Sequence, residues 1–307
     1  MKKINYIVLL AIGVALASCR KEETLTFQDY DKNWLALEDN ANDATLHSNY
    51  LFYKETGIPV FINDTIGSQP RVDVYGKNYI HYQKLSLSYS LGGIQTGARP
   101  MVLSFTYCKK TDVPAALAYL KSDILPVIPK KVYVPSILLV ENLNTVAFGS
   151  YAFKGLNTVV IGGISTIQTM SATTKMAYKG AILRAMLTNP VFDKKYSELL
   201  DKFYAVSRKY VVGKDVYTGI YIYQITTAVT GLPAGTTATP QAIGFIGTDP
   251  RNPYYTPMSD WIDVCVYLET ILGTTDAEFK QRFAASPNIL LKYGYIKQIL
   301  TDIGVNL

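Results

Sequence analysis

The side chains best suited to acid–base or metal chemistry are few and far apart in this sequence. Its only two histidines, His47 and His81, lie in runs of aromatic and β-branched residues that predict strands. Asp64 and Asp73 flank turn residues before His81, so a His–Asp pair typical of hydrolases is one interpretation. The simpler interpretation is that both histidines are structural and both aspartates are solvated loop residues, and we favour it.

Standard catalytic and nucleotide-binding motifs are missing from the rest of the chain. The sequence contains no G-x-S-x-G, no P-loop, no C-x-x-C and no H-E-x-x-H. The net charge is +6, from 30 basic and 24 acidic residues. Removing Lys2 and Lys3 with the N-terminal segment discussed next leaves 28 basic against 24 acidic residues, or +4. A charge this small and scattered argues against a nucleic-acid partner.

The first residues predict export and lipidation. A basic start is followed by an apolar run, Ile4 to Ala17, which is too short to span a bilayer comfortably. The run ends in "LASC", which resembles the lipobox of bacterial lipoproteins. In such proteins the signal peptide is cut before the cysteine, which is then acylated. We therefore predict a signal peptide at residues 1–18 and a lipid anchor at Cys19.

The segment after the anchor points to the cell surface. "RKEE", from Arg20 to Glu23, resembles the export signal of surface-exposed lipoproteins in Bacteroidetes. This similarity predicts that the protein is held on the outer membrane and faces the exterior. Residues 19–45 are expected to be a lipidated tether followed by a short surface helix in "YDKNWLALEDNANDA".

The first half of the remaining chain predicts mostly strands. "NYLFYKETGIPVFIND" indicates a bent strand, and "YIHYQKLSLSYS" with "RPMVLSFTYC" indicates an antiparallel hairpin with a long loop. A helix is predicted from Asp112 to Val127, with Asp112 as its N-cap. Two further strands are predicted in "KKVYVPSILLVENL" and "NTVVIGGIS", the second of them central in its sheet.

The second half predicts mostly helices, at about 167–188, 192–211, 257–272, 276–285 and 287–303. A loop rich in Gly, Thr and Pro runs from Gly231 to Pro253. The fold class is therefore α+β, with a β-rich N-terminal half packed on an α-helical C-terminal half. Besides Cys19 there are only Cys108 and Cys265, for which two buried free thiols are favoured over a disulfide.

The central helix of that half contains an unexpected glycine. In "YKGAILRAMLTNPVF" apolar residues recur every four positions, and only Lys179 and Arg184 carry charge. Gly180 lies in the middle of this apolar helix, where glycine costs roughly 1 kcal/mol relative to alanine. A glycine at such a position needs a reason beyond helix formation.

The order of elements resembles the zinc-binding metallopeptidase lipoproteins of Bacteroidetes, which have a zincin-like fold. The similarity is loose and runs from His47 to Leu307, so the domain is placed at 46–307. In the family the central helix carries H-E-x-x-H, followed by a proline and an aromatic residue that Pro190 and Phe192 match. By that spacing, the histidine positions fall on Lys179 and Leu183.

The same alignment places Gly180 at the position of the family's glutamate. The later D-F-x-E motif is matched by "DWID", which puts Asp263 at the third ligand position. Protonated lysine, leucine and glycine cannot hold or activate zinc as H-E-x-x-H does. The resemblance thus implies a degenerate domain with no catalytic residues, no metal and no cofactor. We expect Lys179 and Asp263 to face each other as an ion pair, or else Lys179 to reach solvent while Asp263 pairs locally.

These features predict a non-catalytic surface lipoprotein. The resemblance suggests an accessory or binding subunit of a SusCD-type TonB-dependent nutrient importer, with SusC- and SusD-like partners and a peptide ligand. The alternatives are a glycan-binding lipoprotein of such a system, and a hydrolase that uses the His81 arrangement. Tyr254 and Tyr255 are candidate ligand-binding aromatics, because tyrosine combines an apolar face with a polar tip.

Overall fold

Residues 32–87 and 102–307 are described by the computed structural model. The predicted signal peptide, Cys19 and the "RKEE" segment lie outside these ranges, as do residues 88–101 of the predicted hairpin. From Trp34 onward the chain forms one unit. No helix in the described ranges is long and apolar enough to cross a bilayer.

Strands and helices mix in the described chain, so the predicted α+β class is confirmed. The strands are β1 (Val60–Phe61), β2 (Thr65–Val72), β3 (Asn78–Lys84), β4 (Val102–Tyr107), β5 (Ile137–Thr145), β6 (Ala152–Lys154) and β7 (Val159–Ile161). The α-helices are α1 (Ala44–Thr56), α2 (Val113–Tyr119), α3 (Ala172–Val191), α4 (Ser197–Arg208), α5 (Ile225–Ala228), α6 (Asp260–Leu272), α7 (Asp276–Arg282) and α8 (Pro287–Ile303). A π-helical turn and a 3-10 turn extend α2 to Val127.

Strand β5 organises the main sheet. It pairs in parallel with β1 and with β7, and β6 pairs antiparallel with β7. Its first four residues, Ile137–Val140, are all buried, which is typical of a strand covered on both faces. Ile137 and Leu139 pack into the core shared with the C-terminal helices, whereas Leu138 and Val140 pack into a smaller cluster on the other face.

The strand predicted from "NYLFYKETGIPVFIND" is wrong for its first half, which belongs to helix α1, and only Val60–Phe61 of its second half form a strand. The Asp43 carboxylate accepts hydrogen bonds from the backbone N–H groups of Thr45 and Leu46, which caps the helix. Gly57 ends it at φ +75°, a left-handed conformation that suits glycine. These two caps outweigh the β-propensity of the aromatic residues between them. The short surface helix predicted before position 45 is also wrong, because residues 32–43 are not helical.

The predicted pairing of "YIHYQKLSLSYS" with "RPMVLSFTYC" is wrong as well. β3 pairs antiparallel with β2, and β4 pairs antiparallel with β5. The Asp73 carboxylate accepts hydrogen bonds from the N–H groups of Tyr75 and Lys77, and Gly76 has φ +80°, so the chain reverses within a few residues. Closing this short loop costs less entropy than closing the longer loop that the prediction required.

The other predicted elements agree with the structure apart from their ends. The helices of the second half appear where their periodicity placed them, and α8 spans the predicted 287–303. Asp112 is at the N-cap position of α2 but makes no side-chain capping bond. β7 lies between β5 and β6, in accord with its predicted central place. Cys108 and Cys265 are both buried free thiols, as predicted.

Gly180 is required by a close crossing of two helices. A Cβ atom at this position would lie 2.4 Å from the Glu269 carbonyl oxygen and 2.9 Å from the Gly273 Cα atom, both backbone atoms of or next to α6. One turn further along α3, Arg184 Nε donates to the Glu269 carboxylate at 2.6 Å. α3 and α6 are therefore antiparallel and touch backbone to backbone, which only glycine permits.

This crossing predicts opposite effects for two glycine-to-alanine substitutions. Gly180→Ala should lower the free energy of unfolding by about 2 kcal/mol, because overpacking against fixed backbone outweighs the gain in helix propensity. Gly294→Ala, at an exposed position of α8 with no atom within 4 Å of the added Cβ, should raise the free energy of unfolding by about 0.5–1 kcal/mol. Urea unfolding monitored by circular dichroism measures both, and a stabilised Gly180→Ala variant would disprove the tight crossing.

Candidate functional site

Helix α3 presents Lys179 and Leu183, the two positions aligned with the family's histidines, to a common cavity. This cavity has a volume of about 460 Å³ and lies among α3, the C-terminal end of α6, α7 and α8. We call it the Lys179 cavity. Its apolar lining includes Leu183, Ile271, Leu272, Phe279 and Val305, and its polar lining includes Lys179, Thr274, Thr275, Asp276 and Lys297.

Asp263 does not belong to this cavity, and the predicted pairing of Lys179 with Asp263 is wrong. The antiparallel crossing sets Gly180 against Gly273 at the end of α6. Asp263 precedes Gly273 by ten residues, which is about 15 Å along a helix axis. It forms an ion pair with Lys292 of α8 instead. Gly180 makes room for α6, not for an ion pair that replaces a metal.

The Asp263–Lys292 pair lies in the core of the helical half. Both side chains are fully buried. Lys292 Nζ contacts Asp263 Oδ2, which also accepts a hydrogen bond from the Tyr217 hydroxyl at 2.8 Å. Lys292 donates to Ser207 Oγ at 3.0 Å. Aromatic rings surround the ammonium group, with ring centroids 4.1–5.2 Å from Nζ for Phe203, Phe245 and Tyr267.

Burial dominates the protonation of this pair. It raises the pKa of Asp263 above the ordinary aspartate value, against the opposing effect of Lys292. It lowers the pKa of Lys292 to about 8, although the Asp263 carboxylate favours the charged ammonium. Asp263 Oδ1 has no hydrogen-bond partner within the described part of the chain. Since no solvent reaches either group, the pair joins α6 to α8 and is not a site for a ligand.

The loss in the free energy of unfolding should depend on whether one side chain of this pair or both are replaced. Asp263→Asn and Lys292→Met should each lower the free energy of unfolding by about 3–5 kcal/mol, because an unpaired buried charge remains. The double variant should lose clearly less than the sum of the two single losses. Urea unfolding at pH 7 measures the double-mutant cycle.

The exposed pair Glu198–Lys202 on α4 supplies the matched control. Glu198→Gln and Lys202→Met should each change the free energy of unfolding by less than about 1 kcal/mol, because solvent screens surface pairs. Additive losses at Asp263 and Lys292 would show that the two side chains do not depend on each other.

The first histidine, His47, lies on the surface of α1. Its Nδ1 atom is 2.7 Å from the Asp39 carboxylate, and both side chains are 40% exposed. No third titratable side chain joins them in a metal-binding group, and the same holds throughout the described ranges for groups of three or more His, Cys, Asp and Glu residues. His47 is therefore placed as a surface residue and not as part of a cleft.

The second histidine does not meet the aspartates proposed as its partners. His81 lies on β3 with Nε2 3.3 Å from Gln83 Oε1. The Asp73 carboxylate is used within its own turn, and Asp64 accepts a hydrogen bond from the Tyr107 hydroxyl at 2.7 Å. The arrangement of His81 with Asp64 or Asp73 that a hydrolase would need is not assembled by the fold.

The candidate aromatics Tyr254 and Tyr255 lie beside two further tyrosines, Tyr221 and Tyr223, which were not predicted from the sequence. The Tyr221 ring centroid is 5.4 Å from that of Tyr255 and 5.3 Å from that of Tyr223. Tyr223 is 76% exposed and Tyr254 56% exposed. We call these four residues the tyrosine surface. The "YIY" run at 221–223, next to a Gly-rich loop, was the available sequence signal for it.

Backbone bonds hold the two segments of the tyrosine surface together. Ile222 N–H donates to the Tyr254 carbonyl at 2.9 Å, and Thr256 N–H donates to the Ile220 carbonyl at 3.0 Å. Asp249 N–H donates to the Tyr255 carbonyl at 2.8 Å. These bonds fix the backbone on either side of the rings, so the tyrosines are presented to solvent from a defined scaffold.

The buried Asp249 carboxylate stabilises the same loop. It accepts hydrogen bonds from the Arg251 guanidinium at 2.8–2.9 Å and from Met258 N–H at 2.8 Å. Burial raises the pKa of Asp249, but these hydrogen bonds outweigh that effect and hold it below the ordinary value. The carboxylate is therefore charged at neutral pH, and it closes the loop that carries Tyr254 and Tyr255.

Comparisons with known proteins identify no relative. No family model matches the chain, and neither the curated proteins nor the solved structures give a significant match. The features that indicate a function are therefore the sequence motifs, the Lys179 cavity and the tyrosine surface.

Proposed function

We propose that this protein is a non-catalytic lipoprotein of the outer cell surface that binds an extended peptide on the tyrosine surface. Its role would be that of an accessory or binding subunit of a SusCD-type TonB-dependent importer. The observation that carries the binding role is the tyrosine surface itself, which exposes several aromatic rings on a scaffold fixed by hydrogen bonds.

Exposed tyrosines are well suited to binding. They offer a large amphipathic contact area and lose little conformational entropy, because a tyrosine side chain has only two χ angles. Clustered apolar faces on a protein surface commonly mark interaction sites. Peptides in extended or polyproline conformation dock on aromatic-lined surfaces, with tyrosine hydroxyls available for their backbone carbonyls. These properties favour a peptide ligand.

The absence of catalysis is proposed from the sequence and from the positions that its titratable side chains occupy in the fold. The sequence has no H-E-x-x-H, and His81 does not contact Asp64 or Asp73. Among the buried charges, Asp263 pairs with Lys292, which removes the carboxylate aligned with the third zinc ligand. A degenerate zincin-like domain remains our interpretation of the order of elements, with α3 in the place of the family's metal-binding helix.

The location and the partners are proposed from the N-terminal sequence. The lipobox-like "LASC" supports a lipid anchor at Cys19, and "RKEE" supports export to the outer face of the outer membrane. A surface lipoprotein that binds peptides fits beside SusC- and SusD-like proteins, which would transport the bound cargo. A glycan ligand is the second candidate, because the exposed faces of Tyr223 and Tyr254 also suit the apolar face of a sugar ring.

The ligand is tested by screening the mature protein against a peptide library and a glycan array. Peptides should bind, and the double variant Tyr223→Ser, Tyr254→Ser should weaken that binding at least tenfold, which is about 1.4 kcal/mol. Tyr75→Ser, at a 92% exposed tyrosine in the turn between β2 and β3, is the matched control and should leave the affinity unchanged.

Three outcomes of that screen would count against the proposal. Glycan binding lost in the double tyrosine variant would replace the peptide by a sugar. Peptide binding that the variant leaves intact would place the site elsewhere. Cleavage of bound peptides that a chelator stops, together with about one zinc per chain by elemental analysis, would make the protein an enzyme.

The surface location is tested with external protease on intact cells. Wild-type protein should be cleaved, because its domain faces the medium. Replacing Glu22 and Glu23 with alanine should reduce cleavage while the lipid at Cys19, followed by metabolic labelling with palmitate, stays in place. Substituting Glu38 and Asp39 serves as the control for loss of acidic charge further from the anchor. Equal cleavage of all three proteins would show that export does not depend on the "RKEE" segment.

A further inference from the structure

The Lys179 cavity combines a largely apolar lining with two lysines, Lys179 and Lys297. Leu183 and Phe279 are almost completely buried, and Ile271 is 6% exposed. Lys179 stands on the wall of the same cavity, one helical turn from Leu183. At about 460 Å³ the cavity falls within the usual range for small-molecule sites.

The other charges of the cavity are already matched. Asp276 accepts from Lys280 at 2.8 Å and also contacts Lys297 and the Tyr293 hydroxyl. These bonds, with that from Lys280 the strongest, hold the pKa of the Asp276 carboxyl well below its usual range. The carboxylate is therefore charged and committed to the lysines of α7 and α8, and it is not available to Lys179.

Lys179 has no such partner in residues 32–87 and 102–307. On the facing helix α6, the Glu269 carboxylate is bonded to Arg184. Within the described residues, no hydrogen bond or ion pair involves the Lys179 ammonium. The cavity thus has an apolar lining, one carboxylate shared by Lys280 and Lys297, and a further lysine, Lys179, that no described residue pairs.

We infer that the Lys179 cavity binds a small amphipathic anion, with its carboxylate on the Lys179 ammonium and its apolar body against Leu183, Ile271 and Phe279. A carboxylate is preferred over a neutral group. A neutral ligand that covers Lys179 would remove water from the ammonium without supplying an opposite charge. A cation is excluded by repulsion. Fatty acids and aromatic acids share this chemistry.

This site is separate from the proposed peptide-binding function. It shares no residue with the tyrosine surface, and it lies at the C-terminal end of α6 instead of the loop before α6. The two proposals can therefore fail independently.

Three probes of equal chain length test the inference by isothermal titration calorimetry on the mature protein: octanoate, 1-octanol and octyltrimethylammonium. Octanoate should bind at least ten times more tightly than octanol, and the ammonium should not bind. Lys179→Met should weaken octanoate at least tenfold and leave octanol unchanged. Lys194→Met, at an exposed lysine outside the cavity, is the matched control and should change neither.

A second variant tests the location without altering charge. Thr301→Trp changes an exposed residue of α8 that lines the cavity, and the larger side chain should block octanoate and octanol alike. Octanoate binding that survives both Lys179→Met and Thr301→Trp would overturn the inference. So would equal affinities for the three probes, since apolar contact alone would then explain the binding.

Discussion

The contact on which the helical half depends is the crossing of α3 and α6 at Gly180. Because neither Gly180 nor Gly273 has a Cβ atom, the two backbones approach within ordinary contact distance, and this closeness fixes the antiparallel register. In that register Arg184 reaches both the Glu269 carboxylate and, at 2.7 Å, the Ala152 carbonyl of β6. One helix crossing therefore also ties the helices to the sheet.

The buried charges are secured by different means at the two ends of this crossing. Arg184 has hydrogen-bond partners on α6 and β6, and its guanidinium lies 4.0 Å from the centroid of the Phe148 ring. At the far end of α6, Asp263 has Lys292 within an enclosure of aromatic rings. Arg184, Asp263 and Lys292 are buried, whereas the Glu269 side chain is 35% exposed. Each pair penalises any other register by leaving a buried charge unpaired.

The same register determines which charged side chains face a cavity and which lie in the core. It turns Lys179 toward a cavity, where none of the described residues pairs with its ammonium, and it moves Asp263 into the core. The tyrosine surface arises elsewhere, from two segments joined by backbone hydrogen bonds and closed by the buried Asp249. The Lys179 cavity and the tyrosine surface are therefore the two places in the described chain where we propose that ligands bind.

Features that depend on neighbouring residues were predictable from the sequence. The periodicity of the second half placed its helices, and the cost of Gly180 in an apolar helix marked a special position. The caps Asp43 and Gly57 are also visible in the sequence, but the aromatic residues between them favour a strand. Three contacts could be seen only in the folded molecule: the pairing of β3 with β2, the ion pair of Asp263 with Lys292, and the contact of Tyr221 with Tyr255. Capping and periodicity act within a few residues of one segment, whereas these partners depend on loop closure and on the register of helices distant in sequence.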